Sequence, residues 1–176
     1  MKMLKSFAFI FLLMGVSLNA QSISNHALGL RLGDSDGFGA EISYQKSITS
    51  SNRIEVDLGW RDSRNYSAFK LAGLYQWVRP IEGGFNWYYG VGGGLGNVDF
   101  TAIPNNNDGG GLFIFGAGNI GIEYDFDIPL LLSLDFRPEL GLVGYDGFSD
   151  SFDFDIGLGI RCLLYTSDAA DDVSTV

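Results

Sequence analysis

The segment Phe152-Asp-Phe-Asp-Ile-Gly-Leu-Gly-Ile-Arg161 alternates apolar residues with small or charged residues. Successive side chains of a strand point to opposite faces, so one face of this segment is apolar and the other carries Asp153, Asp155 and Arg161. Seven further stretches repeat the pattern, and no segment after the N-terminus shows helical periodicity. The sequence therefore predicts an all-β protein, an eight-stranded antiparallel up-and-down transmembrane β-barrel with lipid outside and a polar interior.

Turn-forming segments separate the eight predicted strands. In chain order, the strands cover residues 26–33, 38–46, 53–60, 66–78, 85–96, 112–126, 131–143 and 152–161. If the first strand runs outward from the periplasm, the short turns lie on the periplasmic side. The two longest connections, 97–111 and 144–151, then lie outside the cell, as is typical of bacterial barrels. We expect 28–33 to pair with 154–161, because an open sheet edge in lipid would leave backbone groups unpaired.

The first twenty residues have the pattern of a secretory signal peptide. Lys2 and Lys5 precede a short apolar stretch, and Leu18-Asn-Ala20 fits a small-residue cleavage site. The apolar stretch is too short for a transmembrane helix, so any span must consist of strands. We predict a signal peptide at 1–20 and a barrel domain at 21–161. The chain's net charge of -10 argues against binding to nucleic acid, which needs a basic face.

The pattern of alternation ends at the C-terminus. The run Cys162-Leu-Leu-Tyr-Thr-Ser-Asp-Ala-Ala-Asp171 resembles a translated sequencing-adapter read-through, TGT CTC TTA TAC ACA TCT GAC GCT GCC GAC. We interpret residues 162–176 as a non-native tail, the alternative being a natural acidic tail. Cys162 is the only cysteine of the chain. The barrel domain would then contain no disulfide and no thiolate metal site.

Charged residues on the predicted inward face form the main candidate site. An eight-stranded barrel is just wide enough for its side chains to fill. A buried charge without a partner is costly, so these groups should pair into a network. The predicted barrel-interior charge network consists of Arg31, Glu41, Glu55, Asp57, Lys70, Glu123, Asp135, Arg137, Glu139, Asp153, Asp155 and Arg161. The alternative is a narrow polar path or gate for small solutes.

Aromatic residues concentrate near the ends of the predicted outward face. Two aromatic girdles that flank an aliphatic band are typical of barrels at membrane interfaces. The predicted girdle residues are Tyr44, Tyr75, Trp77, Trp87 and Tyr124 near the periplasmic ends and Trp60 near the outer ends.

The sequence offers little for catalysis or cofactor binding. Gly116-Ala-Gly-Asn-Ile-Gly121 has the letters of a dinucleotide fingerprint, but it lies within a predicted strand and no helix follows. His26 is the only histidine, and no nucleophile elbow accompanies it. One histidine cannot form a transition-metal site alone. We therefore predict no enzyme activity, no cofactor, and no catalytic, cofactor-binding or metal residues.

Three segments resemble a known family. Trp87-Tyr-Tyr-Gly-Val-Gly-Gly-Gly94, Leu132-Ser-Leu-Asp-Phe-Arg-Pro138 and Gly157-Leu-Gly-Ile-Arg161 are similar to small outer-membrane β-barrel proteins of Gram-negative bacteria, the OmpA/OmpX-type, porin-like group. The resemblance covers nearly all of residues 21–161. It implies eight antiparallel strands, insertion by the barrel-assembly machinery and a structural or interaction role. Members typically end in an aromatic residue, which the tail has replaced here.

These observations predict a small barrel of the bacterial outer membrane with a structural or surface-interaction role. It would be a monomer whose partners are outer-membrane lipid and the barrel-assembly machinery. Two alternatives remain open at this point. One is a narrow pore or transporter for small solutes. The other is a soluble, lipocalin-like ligand-binding barrel, which would have its apolar face inside.

Overall fold

Every regular element in the described part of the chain is a strand. The computed structural model describes residues 23–33, 39–62, 66–100, 111–144 and 152–164. The strands are β1 (His26–Leu32), β2 (Ala40–Thr49), β3 (Asn52–Asp62), β4 (Tyr66–Pro80), β5 (Phe85–Phe100), β6 (Gly111–Asp125), β7 (Leu130–Val143) and β8 (Phe152–Leu164). The predicted signal peptide and the tail from residue 165 onward lie outside the described residues.

The sheet closes on itself. Each strand pairs antiparallel with its neighbours in the chain, and β1 pairs with β8, which confirms the predicted eight-stranded barrel. The closing register runs from His26 opposite Leu164 to Leu32 opposite Leu158. The partner segment of β1 thus lies a few residues beyond the predicted 154–161, because β1 ends at Leu32 while β8 continues past Arg161 to Leu164.

The two ends of the barrel differ. Short turns join β2 to β3, β4 to β5 and β6 to β7 at one end, which we call the turn end; the opposite end is the loop end. In the β4–β5 turn, the Ile81 amide donates to the Phe85 carbonyl over 2.8 Å, and Gly83 and Gly84 have positive φ. The strands range from 7 residues in β1 to 16 in β5, so the wall extends furthest at the loop end over β4–β7.

The two faces of the wall have opposite chemistry. Outward positions carry large apolar side chains, among them Leu134 at 51% exposure and Ile156 at 63%. Inward positions carry buried charged groups such as Arg31 and Arg137. The lipocalin-like alternative predicted the reverse arrangement. No helix in the described ranges is long and apolar enough to cross a membrane.

The interior is layered along the barrel axis. Near the turn end, Ala27, Leu131 and Leu163 form a small apolar cluster. The middle holds the charged groups. Toward the loop end, the side chains of Phe113 and Phe115 lie in a second apolar cluster on the β4–β6 side. The sequence predicts a strand here but does not distinguish its inward from its outward face, because all four residues from Leu112 to Phe115 are apolar.

Candidate functional site

Arg31 lies at the centre of the first group of interior charges. Its Nη2 is 2.6 Å from Asp135 Oδ1, its Nη1 is 2.5 Å from Asp155 Oδ2, and the same Nη1 is 3.3 Å from Glu41 Oε2. All four side chains are buried. Gly157 leaves space for the guanidinium, because a Cβ there would collide with it. One cation therefore joins carboxylates from β2, β7 and β8.

Arg137 extends this group toward the loop end. Its Nη2 is 2.7 Å from Glu41 Oε2, and its Nη1 is 2.9 Å from Asp57 Oδ2. Its Nε is 3.1 Å from Glu139 Oε1, and Glu139 Oε2 accepts a 2.6 Å bond from Lys70 Nζ. Glu41 thus bridges the two arginines, so the charges from Asp155 to Lys70 form one connected chain.

A second group of charges lies nearer the turn end. Arg161 donates to Ser43 and Ser133 over 2.9 and 2.8 Å, and its Nη2 is 3.2 Å from Glu55 Oε2. Glu55 also accepts a short hydrogen bond from the Gln45 amide. The serines satisfy two guanidinium donors without adding negative charge.

Arg53 is a member of this second group that sequence analysis missed. Its Nη2 is 2.7 Å from Glu123 Oε2, its Nε donates to Gln76 Oε1 over 2.6 Å, and its guanidinium lies 4.8 Å from the Tyr88 ring centroid. Arg53 precedes Glu55 by two residues and therefore points to the same face. The alternation pattern contained this information, but the residue stood at the edge of its predicted strand.

The structure brings together eleven of the twelve predicted network residues in these two groups. Asp153 lies half-buried toward the loop end of β8, where its carboxylate accepts from the Phe154 amide over 2.8 Å. Among the described residues, five buried cations face seven buried carboxylates. Several buried polar atoms also lack a hydrogen-bond partner, including both amide atoms of Asn119 and Nε2 of Gln76.

Little free space remains near the turn end of the interior. The cavity there is lined by Gln45, Arg53, Asn86 and Glu123, among others, and has a volume of about 10 Å³. That is about the space of a single water molecule. The arrangement can hold a polar core rigid and admit water, but a larger solute would have to displace ion pairs.

Aromatic side chains lie in three contacting groups near the turn end. Trp77 stacks on Tyr89 with 5.3 Å between ring centroids, Trp87 lies 5.4 Å from the same Tyr89 ring, and Tyr75 meets Trp77 edge-on at 5.0 Å. Tyr124 contacts the rings of Phe85 and Phe126, and Tyr44 contacts His26. Trp60 lies at the other end of the wall, 77% exposed.

Three features that sequence analysis considered for catalysis or ligand binding lie in strands of the barrel wall: His26, the segment from Gly116 to Gly121, and Cys162. His26 Nδ1 is 2.7 Å from the Tyr44 hydroxyl at the turn end. The segment from Gly116 to Gly121 lies within β6, as predicted. Cys162 is exposed on the outward face of β8. Within the described ranges, no three histidine, cysteine or acidic residues are arranged to hold a metal ion.

Comparison with solved structures identifies the same architecture elsewhere. Against the N-terminal β-barrel domain of Pseudomonas aeruginosa OprF, the chain has a TM-score of 0.59 and 14% identity, over 79% of this chain and 97% of that chain. Against Neisserial surface protein A (NspA), the TM-score is 0.52 and the identity 11%, over 79% and 94% of the two chains. Both similarities support the predicted barrel fold. No family model and no curated protein sequence matches the chain.

Proposed function

We propose that this chain is a small barrel of the bacterial outer membrane with a structural or surface-interaction role and no catalytic activity. The observation that carries the proposal is the distribution of side chains, with apolar residues such as Leu134 outward and charged residues such as Arg137 inward. Exposing this apolar outward face to water would be unfavourable, whereas contact with lipid hydrocarbon would not. Lipid is therefore the proposed partner of the wall. Insertion by the barrel-assembly machinery and a monomeric state belong to the same proposal.

The filled interior supports a structural role. Ion pairs reach across the barrel between strands that are not neighbours in the wall, such as Arg53 of β3 with Glu123 of β6. Removing one partner of a buried pair leaves an uncompensated charge, so the network favours a single barrel shape. The turn-end cavity, at about 10 Å³, is too small to hold a substrate.

Refolding of the full chain tests this proposal. In lipid vesicles we expect a folded band that migrates differently from the heated sample on a gel, and we expect no uptake of small sugars in a swelling assay. A chain that stays folded, monomeric and soluble without detergent or lipid would contradict the membrane location. Swelling at the rate of a known porin would contradict the closed interior.

A narrow pore is the second candidate, and two observations favour it. The unpartnered Nε2 of Gln76 and the unpartnered amide group of Asn119 could bond to interior water. The buried carboxylates outnumber the buried cations, which would favour cations in any conducting path. Planar-bilayer recording separates the two candidates. A sustained, cation-selective current would support the pore, whereas its absence with inserted protein would support the structural role.

A further inference from the structure

Glu55 and Asp57 are consecutive inward residues of β3 that belong to different groups of interior charges. Asp57 Oδ2 bonds to Arg137 of the first group over 2.9 Å. Glu55 Oε2 bonds to Arg161 and Gln45 in the second group. Both acidic residues are only 1% exposed. The two groups of charges therefore meet at one buried pair of carboxyl groups.

Each of these two carboxyl groups has one oxygen that accepts no hydrogen bond. Those atoms are Glu55 Oε1 and Asp57 Oδ1. The other oxygen of each group accepts from Gln45 or Arg137. The two carboxyl groups are also within hydrogen-bond reach of each other. A hydrogen bond between them needs a proton on one of the two, because an ionised carboxylate is an acceptor only.

The surroundings of the pair hold too few cations to neutralise both carboxyl groups. Six other titratable or charged groups interact electrostatically with it from β2, β3, β5, β7 and β8, namely Glu41, Arg53, Tyr88, Asp135, Arg137 and Arg161. On β4, the residues opposite the pair are the apolar Leu74 and Ala72. Across the described interior, seven buried carboxyl groups face five buried cations. Ionising both members of the pair would place two like charges in contact.

We propose that Glu55 and Asp57 share one proton at neutral pH, and that this proton joins the two groups of interior charges into a single network. Two carboxyl groups in contact keep a proton between them because both cannot ionise at such close range. The other oxygen of each residue keeps its bond to a guanidinium. A metal ion fits less well, since no three histidine, cysteine or acidic residues in the described part of the chain are arranged to hold one.

Substitution of an acid by its amide distinguishes a shared proton from an ionised pair. In Asp57→Asn, the amide nitrogen can donate to Glu55 in place of the proton, and the amide oxygen can accept from Arg137. Asp135→Asn is the matched control in the same interior. Both oxygens of Asp135 accept from Arg31, Oδ1 over 2.6 Å and Oδ2 over 3.2 Å. An amide at that position must turn its nitrogen toward a guanidinium.

Unfolding in urea is the first measurement. At about pH 8, Asp57→Asn should leave the equilibrium constant for unfolding unchanged or lower, because the wild type there is close to losing its proton. Asp135→Asn should raise the same constant roughly tenfold to a hundredfold.

The pH dependence of unfolding follows from the same proton. Above about pH 5.5, the unfolded chain has released this proton while the folded barrel still holds it, so stability falls as the pH rises. The equilibrium constant for unfolding should then increase by up to about tenfold per pH unit in the wild type. Asp57→Asn should lack that part of the increase, since an amide does not titrate.

Infrared spectroscopy of the folded wild type detects the proton directly. We expect the carbonyl band of a protonated carboxyl group at neutral pH, retained in Asp135→Asn and lost in Asp57→Asn. If Asp57→Asn does not fold, Glu55→Gln should lose the same band. These measurements need only the folded barrel, in vesicles or in detergent, so their outcome is independent of the proposed membrane location.

Several results would overturn the shared proton. One is a folded wild type without a protonated-carboxyl band at neutral pH, and another is a band that persists in both Asp57→Asn and Glu55→Gln. Equal destabilisation by Asp57→Asn and Asp135→Asn would mean that both members of the pair are ionised. Loss of stability when choline replaces sodium at constant ionic strength would indicate a sodium ion between the carboxylates instead of a proton.

Discussion

Arg31 of β1 and Asp135 of β7 bond to each other over 2.6 Å, although β8 separates their strands in the wall. The same guanidinium contacts Asp155 of β8 and Glu41 of β2. Arg31 therefore joins the four strands around the place where the first and last strands meet. Hydrogen bonds of the β-ladder connect neighbours alone, whereas this side chain connects strands on both sides of the closure.

Arg31→Met should destabilise the barrel by about 3–5 kcal/mol, because it leaves buried carboxylates without their cation. The free energy of unfolding in urea, measured on vesicle-inserted protein, checks this. Lys46→Met is the matched control at an exposed position of β2, and its effect should stay within about 0.5 kcal/mol. Equal effects of the two substitutions would mean that the interior pairs contribute no more than a surface charge.

Leu134→Arg should impair insertion, with a cost of roughly 2–4 kcal/mol if the residue faces the middle of the bilayer. Ile128→Arg is the control, since Ile128 is 59% exposed against 51% for Leu134 but lies in the β6–β7 turn. The yield of heat-modifiable folded protein in vesicles distinguishes the two variants. If both variants refold equally well, Leu134 does not face hydrocarbon.

Gly157→Ala should cost about 1–3 kcal/mol, because the added methyl group would collide with the Arg31 guanidinium. Gly73→Ala should be nearly neutral by comparison, since nothing lies within 4 Å of the Cβ position there. In an Arg31→Met background, the cost of Gly157→Ala should shrink, as a double-mutant cycle would measure. An unchanged cost in that background would show that the clash involves other atoms.

Leu28→Cys should form a disulfide with Cys162, because these residues face each other in the closing register of β1 and β8 and both point outward. Mild oxidation should then give a faster band on a non-reducing denaturing gel. Leu30→Cys, which pairs with Ile160 instead, should not cross-link, since diagonal neighbours lie too far apart. Cross-linking of Leu30→Cys in place of Leu28→Cys would contradict the register.

Alternation predicted most of the wall but less of the interior. The period of two assigned Arg31, Glu41 and Asp135 to the inward face, because each stands in mid-strand between apolar neighbours. Which carboxylate meets which guanidinium was not predictable, since that depends on how far each strand is displaced around the closed sheet. Glu41 shows this most clearly, since it contacts Arg31 on one side and Arg137 on the other.

The inward direction of Phe113 and Phe115 was also beyond the sequence pattern. Four apolar residues in succession carry no period, so neither face of that part of β6 was distinguished. The glycines that pair with these residues on β5 show which way the two rings point. A Cβ at Gly96 would collide with the Phe113 ring, and one at Gly94 would lie 2.5 Å from a Phe115 ring carbon. Small residues on β5 thus mark where large rings on β6 enter the barrel.

The position of Arg31 also constrains the order of assembly. Its partners Asp135 and Asp155 are 104 and 124 residues further along the chain. A barrel that entered hydrocarbon one hairpin at a time would carry this guanidinium into lipid with Glu41 of β2 as its partner but long before Asp135 and Asp155 arrived, at a cost of several kcal/mol. The Arg31 guanidinium must therefore stay hydrated until the last two strands are in place. The barrel then closes and Arg31 pairs with Asp135 and Asp155 in the same step.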